Sequence, residues 1–478
     1  MAETPAKKPS SDPPPVFSSL DELSQGSETN AKRYQNLVQA FKTKYGTEPQ
    51  FIARAPGRVN IIGEHIDYSG YAVLPMAIEL DIAIACRTRN EDVINISNTN
   101  PKYLDHQSNI NRKLNITKRG MMWYDYILCG IAGAEDYCNI DNLTGMDLLV
   151  DGNIPPASGL SSSSALVCCS ALATAHANKI ALPSKAFFAE MCAKCERYIG
   201  TEGGGMDQAI SFLGEQGKAM MIEFDPIRTT EVKIPKGCVF VIANTLVPAE
   251  KATAASCFNV RVAECRLASL VMAYQLGVKR WEEVRKLLTL EYASGHELKE
   301  IMTKVVTKHL RSDPYTQSDL CSIMDVDKQY LWKEFLNEQT KSIEEFQLYY
   351  RVEHVYNEAS RVYQFKDIAN DPNGENVAVK LGKLMDDSHA SCRDLYECSC
   401  PELDQIVAIA KSAGSLGSRL TGAGWGGCTV SLVREDKCKE LMETLQEEYY
   451  KGHSNGMENL DASLFVTKPG PGAALCVF

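Results

Sequence analysis

The chain has 478 residues, 44% hydrophobic and 23% charged, which is enough apolar material for two cores rather than one. A formal net charge of −11 sets the whole molecule against nucleic acid and anionic membranes, so a nucleotide would need local holders: backbone N–H groups, a helix N-terminus, a few basic residues and a metal ion. With no charged-then-apolar signal segment and no run of about 18 apolar residues, the 17 cysteines are expected to be free thiols in the cytoplasm.

Residues 1–30 are rich in Pro, Ser, Glu and Lys, with Pro13, Pro14 and Pro15 in a row, and are expected to form a disordered tail. Helical spacing begins around Ala31–Tyr45. From Phe51 to Asn244, short apolar runs of strand type (Met146–Val150, Ala219–Phe224, Val239–Ala243) alternate with helices near Ser162–Ala177 and Ser184–Tyr198. From 245 to Ser412 the pattern is mainly helical; Phe258–Leu276 and Phe346–Tyr363 carry apolar residues at spacings of three and four. Strands return at Cys428–Val433 and Ser463–Val466, around a helix near Cys438–Tyr450. The expectation is an α+β protein of two domains, 31–244 and 245–478.

Three stretches carry chemistry. In the first, Arg54-Ala-Pro-Gly-Arg58-Val-Asn-Ile-Ile-Gly63-Glu64-His65-Ile-Asp67-Tyr68, an Arg, a Glu, a His and an Asp fall within ten residues. A strand ending in such a loop would present donors and acceptors to a polyol, each hydroxyl of which needs a partner. A salt-bridged surface loop is the bland alternative; it suits any one of these residues better than it suits the cluster.

The second stretch, Asp151-Gly-Asn-Ile-Pro-Pro-Ala-Ser-Gly159-Leu-Ser161-Ser162-Ser163-Ser164-Ala165, follows an apolar strand and opens an apolar helix. Free N–H groups and the helix dipole make that end an anion seat, and a serine hydroxyl there can ligate Mg²⁺. Four consecutive serines exceed what capping alone requires.

The third, Gly417-Ser-Arg419-Leu-Thr-Gly422-Ala-Gly424-Trp-Gly-Gly427-Cys428, satisfies G-x-G-x-x-G, but a strand-like run rather than a helix follows it. A tight loop pressed against phosphates or substrate fits better than a dinucleotide site.

Other patterns fail on their own terms. There is no G-x-x-x-x-G-K-[ST]. His296-Glu-Leu-Lys-Glu300 has a glutamate where a zinc helix needs its second histidine. Cys192-x-x-Cys195 has no partner pair and reads as core.

Together and in this order, the three stretches resemble the signature of the GHMP small-molecule kinases. Arg58 to Tyr68 is similar to the galactokinase version of the first motif. Gly159-Leu-Ser-Ser-Ser-Ser-Ala165 resembles the ATP loop, and Leu420 to Gly427 the C-terminal glycine motif. Glu196-Arg-Tyr-Ile-Gly-Thr-Glu-Gly-Gly-Gly205-Met-Asp207 and Cys392 to Pro401 extend the likeness, which runs from about residue 35 to the end.

The resemblance implies a two-domain GHMP fold with an interdomain active site, using ATP and Mg²⁺ to phosphorylate a small sugar at its C1 hydroxyl. It implies Asp207 as the group that accepts or orients the hydroxyl proton and Arg58 as its partner. Arg58, Glu64, His65, Asp67, Gly205, Asp207 and Phe258 would line the sugar. Gly159, Ser161, Ser163, Ser164, Glu250 and Lys251 would contact ATP, with Ser163 and Glu196 on Mg²⁺.

Resemblance over the whole chain is closest to the N-acetylgalactosamine kinase branch, and Phe258 stands where the common galactokinase pattern has a tyrosine. N-acetylgalactosamine is therefore the expected sugar, with galactose as the alternative. A non-catalytic sugar and ATP sensor is the third reading, disfavoured by the intact Ser163, Ser164, Asp207 and Arg58. A monomer is expected, with no nucleic-acid or membrane partner.

Overall fold

The computed structural model describes residues 12–111, 114–117, 121–249, 257–371, 373–453 and 456–478. In chain order its strands are β1 (Val16–Phe17), β2 (Phe51–Ile62), β3 (Leu74–Arg89), β4 (Val93–Asn98), β5 (His106–Asn109), β6 (Gly145–Gly152), β7 (Ala219–Glu223), β8 (Arg228–Val232), β9 (Cys238–Asn244), β10 (Tyr315–Thr316), β11 (Glu345–Phe346), β12 (Gly417–Thr421), β13 (Cys428–Arg434), β14 (Leu464–Thr467) and β15 (Ala474–Val477).

Seven of them make the larger sheet, in the order β1-β15-β2-β3-β6-β4-β5. All twelve residues of β2 are buried, as expected of a central strand covered on both faces. Its ladder with β3 shifts register between Pro56 and Arg58 and again between Asn60 and Ile62. Pro56 has no N–H to give a ladder, and the resulting irregularity turns the Arg58 amide to the Leu160 carbonyl at 3.1 Å. The helix Ser162–Ala177 packs beneath this sheet and is buried on nearly every side.

The smaller sheet runs β12-β13-β9-β14 and is antiparallel throughout. Strand β9 therefore belongs with the C-terminal elements, and a division at 244/245 falls just after it rather than before it. Conversely β15, at the far end of the chain, pairs antiparallel with β2 in the first sheet. The two halves thus exchange strands. Between them lies the helical region, including Cys257–Gln275, Tyr349–Asn370 and Val377–Asp394.

The expected disordered tail is corrected for residues 12–30. Strand β1 pairs in parallel with β15, Ser19 caps the helix Leu20–Ser24, and Ser27 caps Glu28–Tyr45. Leu23, Tyr34, Leu37 and Phe41 bury themselves against Ile52, Ala83 and Ala85 of the sheet. The fully buried Asp81 gathers Arg33, Tyr34 and Arg54, the last at 2.8 Å. Residues 1–11 of that expectation lie outside the described residues. Among the described residues every cysteine is free, and no helix is long and apolar enough to cross a membrane.

Candidate active site

Strand β6 delivers the chain to the serine loop. Asn153 anchors the exit, its Oδ1 accepting the Asp81 amide at 2.8 Å and its own amide donating to the Asp81 carbonyl at 3.2 Å. Ser161 then takes φ +61° and opens the helix Ser162–Ala177 without capping it through its side chain. Its Oγ is buried and has no hydrogen-bond partner. A hydroxyl without a partner at the uncapped N-terminus of a buried helix is an arrangement that suits an anion. Gly159, Ser161 and Ser163 face a cleft of about 2190 Å³, which Trp123, Tyr126, Arg197 and Arg266 also line.

The glycine loop after β12 closes over this seat. A Cβ on Gly422 (φ +87°) would sit 2.5 Å from the Gly159 carbonyl oxygen, and one on Gly159 (φ +75°) would meet the Thr421 carbonyl at 3.0 Å. The two loops touch backbone to backbone, which only glycine permits at these torsions.

A smaller pocket opens beside the cleft, and Arg58, Glu64, His65, Asp67, Gly205, Asp207 and Phe258 all line it. Seven residues drawn from positions 58 to 258 are thus brought to one place. Arg58 donates its Nε to Asp207 Oδ1 at 2.7 Å and Nη1 to the Gly159 carbonyl, so one buried guanidinium bridges the carboxylate and the serine loop. Asp207 stands in the first turn of the helix Met206–Leu213, where the dipole favours a negative charge. Asp67 accepts the Met206 amide at 3.3 Å, and a side chain on Gly204 would collide with the Asp67 carboxylate at 2.4 Å.

The turn at 63–65 is heavily engaged. Glu64 accepts the Gly422 amide at 2.6 Å and Asn60 Nδ2 at 2.8 Å. His65 Nε2 lies 2.9 Å from the Ala423 carbonyl, which can only accept, so Nε2 carries the proton and Nδ1 accepts from Tyr68 Oη at 2.9 Å. Phe258 sets its ring tilted at 5.6 Å from His65 and edge-on at 5.7 Å from Tyr68, forming an apolar wall with Ala423 and Trp425.

Ser163, expected with Glu196 at a metal, lines the large cleft, while the Ser164 Oγ donates to Glu196 Oε2 at 2.9 Å. Successive helical residues point about 100° apart, so one position decides which hydroxyl meets Glu196. Gln208 Nε2 also donates to that carboxylate oxygen. Glu250 and Lys251 lie outside the described residues.

Among the described residues no group of three or more His, Cys, Asp or Glu gathers as a metal site. Ser164 and Glu196 offer two hard oxygens, which suits Mg²⁺ completed by water and phosphate and suits no thiolate-loving metal. Tyr68, Gln208, Tyr396 and Ala423 complete the site without having been singled out in the sequence. Tyr68 ends the first motif and Ala423 lies inside the third, so motif membership was their only available signal.

Comparison with known proteins gives the family and the fold. Residues 39–88 match the galactokinase galactose-binding signature, 125–215 the N-terminal domain of GHMP kinases and 375–451 their C-terminal domain. A galactokinase of Dictyostelium discoideum is 40% identical over 97% of both chains, and one of Saccharomyces cerevisiae is 33% identical over 93% of this chain and 95% of its own. The crystal structure of Lactococcus lactis galactokinase complexed with galactose superposes with a TM-score of 0.71 at 25% identity, covering 92% of this chain and 99% of that one. Methanococcus jannaschii mevalonate kinase shares the fold at a TM-score of 0.54 and 22% identity, over 89% and 99% of the two chains.

Proposed function

The chain belongs to the galactokinase subfamily of the GHMP kinases, and from that premise we propose that it transfers the γ-phosphoryl group of ATP to the anomeric C1 hydroxyl of N-acetylgalactosamine. The observation that carries the phosphoryl transfer is the 2.7 Å Arg58–Asp207 pair, set where the sugar pocket meets the serine loop. The C1 oxygen attacks the γ-phosphorus as the bond to the bridging oxygen breaks and ADP leaves. Asp207 takes or orients the hydroxyl proton, and Arg58 offers its guanidinium to the charge spreading over the transferred group.

The rest is positioning. Ser161 Oγ and the amides at the start of the helix Ser162–Ala177 receive phosphate oxygens. Ser164 and Glu196 would hold Mg²⁺, which when bound neutralises charge on those oxygens. The turn bearing Glu64, His65 and Asp67 shapes the far side of the sugar pocket.

Phe258 supports the acetamido reading: its ring closes one wall of the pocket without a hydroxyl, an apolar face on which the methyl of a 2-acetamido group can pack. Galactose is the second reading, favoured by the galactose-binding signature at 39–88 and by the galactokinase relatives.

The test is ADP release with Mg-ATP and, in parallel, galactose, N-acetylgalactosamine, glucose or no sugar, with Asp207→Ala as the silent control. Faster turnover with N-acetylgalactosamine supports the proposal, and faster turnover with galactose transfers it to the second reading. Binding of sugar and ATP without sugar-dependent ADP would make the chain a sensor and sink the enzymatic reading.

A further inference from the structure

The turn Gly63–His65, which bears the sugar-facing Glu64 and His65, leaves β2 with left-handed torsions at Gly63 (φ +103°) and His65 (φ +62°). A turn so shaped cannot satisfy its own amides in a ladder. Residues almost three hundred positions away take them.

Glu358, in the interior of the helix Tyr349–Asn370, accepts the Gly63 amide at 2.8 Å and the Glu64 amide at 3.4 Å through the same Oε1. Its carboxylate also accepts Ser388 Oγ at 2.6 Å and Arg361 Nε at 2.7 Å. One helical turn earlier His354 donates Nε2 to the Glu64 carbonyl at 3.0 Å, while Nδ1 accepts Ser391 Oγ at 2.8 Å. One turn later the Val362 Cγ2 methyl lies 2.9 Å from where a Cβ on Gly63 would be. Positions 354, 358 and 362 share a helix face, so a single stripe forms the mould of the turn.

Both His354 and Glu358 are fully buried, and neither lines the sugar pocket or the ATP cleft. An isolated buried carboxylate costs several kcal/mol, and charge-assisted bonds to backbone amides are among the few partners strong enough to offset it. Here Arg361 supplies the counter-charge at Oε2, and Oε1 takes the two turn amides together with the Ser388 hydroxyl. That is more than a structural ion pair requires.

We infer that Glu358 is a positioning residue for the sugar: from outside the site it sets the Gly63–His65 turn, and so the directions in which Glu64 and His65 face the pocket. The inference rests on the reading of that pocket as the sugar site. It makes sugar affinity depend on a side chain of the C-terminal half that touches no substrate, while the serine loop and ATP are held by other contacts.

The experiment measures dissociation constants of galactose, N-acetylgalactosamine and ATP by calorimetry on Glu358→Gln, alongside kcat and thermal midpoint. The expected result is a tenfold or greater loss of affinity for the sugar that the parent protein binds, with ATP affinity within twofold. Sugar affinity within twofold of the parent, or sugar and ATP affinities falling by the same factor, overturns it. Should Glu358→Gln not fold, His354→Phe, which removes the donor to the Glu64 carbonyl, is judged by the same criterion. A parent protein that binds neither sugar refutes the sugar-site reading itself, an outcome distinct from a bound sugar that ignores the substitution.

Discussion

Ser163 and Ser164 are adjacent and chemically identical, yet the helix turns one toward the large cleft and the other onto Glu196. If Ser164 and Glu196 hold Mg²⁺ as proposed, Ser164→Ala removes one of its oxygens, and kcat should fall on the order of 10²-fold, with the Mg²⁺ concentration for half-maximal rate rising. Ser163→Ala should act mainly on the KM for ATP, with less than about tenfold effect on kcat, since a neutral hydrogen bond is worth only about 1 kcal/mol. A Mg²⁺ titration of both variants decides; a larger metal effect at Ser163 would reverse the assignment.

This was the limit of what motifs could convey. They named Arg58, Glu64, His65, Asp67, Asp207 and Phe258, which do converge. They could not show that both nitrogens of His65 are taken by Ala423 and Tyr68, nor which of four like serines faces a carboxylate. The first depends on a loop more than 350 positions distant and the second on helical phase.

At the scale of elements, periodicity located several helices, such as Ser162–Ala177 and Cys257–Gln275, but missed Trp123–Tyr137 and did not show the partners of short strands. The apolar run of β9 reads the same whichever sheet receives it, and its pairing with β13 and β14 is a long-range event with no local trace. Residues 12–30 depart from the expected tail for a related reason. Their composition is that of a disordered tail, but order there comes from two serine caps and from parallel pairing with the last strand.

If that segment is structural, Leu23, which is 1% exposed, anchors it to the sheet. Leu23→Ala should lower unfolding stability by about 2–4 kcal/mol and leave kcat and both KM values unchanged. Urea unfolding followed beside steady-state kinetics checks this. An unshifted midpoint would mean that the segment adds nothing to the core.

For the whole molecule, the halves meet through buried polar groups, and those groups titrate. Burial pushes His354 down to about 4, against the pull of Glu358 and of the hydrogen bond to the Glu64 carbonyl. Burial likewise brings His389 to about 4, opposed by Asp404. The partly buried His106 and His176 are lowered in the same direction by burial.

A histidine held below its ordinary 6.5 is neutral in the native state over a range where the unfolded chain takes up a proton. Its contribution is complete above pH 6.5 and is lost as pH falls toward 4, by up to about 3 kcal/mol for a fully buried ring. Glu358 has a separate window. Burial opposes its charge, but Arg361, Arg419, His354 and the Ser388 hydroxyl prevail and hold its carboxyl at about 2, so its contribution is lost only below 4.5. Between pH 6.5 and 4.5 the histidines alone shape the slope among these groups.

The urea midpoint should thus decline from pH 7 to pH 4.5. In His354→Phe it should start lower, because Ser391 Oγ and the Glu64 carbonyl lose their partner, and should then fall less steeply. Parallel slopes in the two proteins would show that His354 does not carry this acid sensitivity. A shallower slope would place one source of it on the helix face that grips the Gly63–His65 turn.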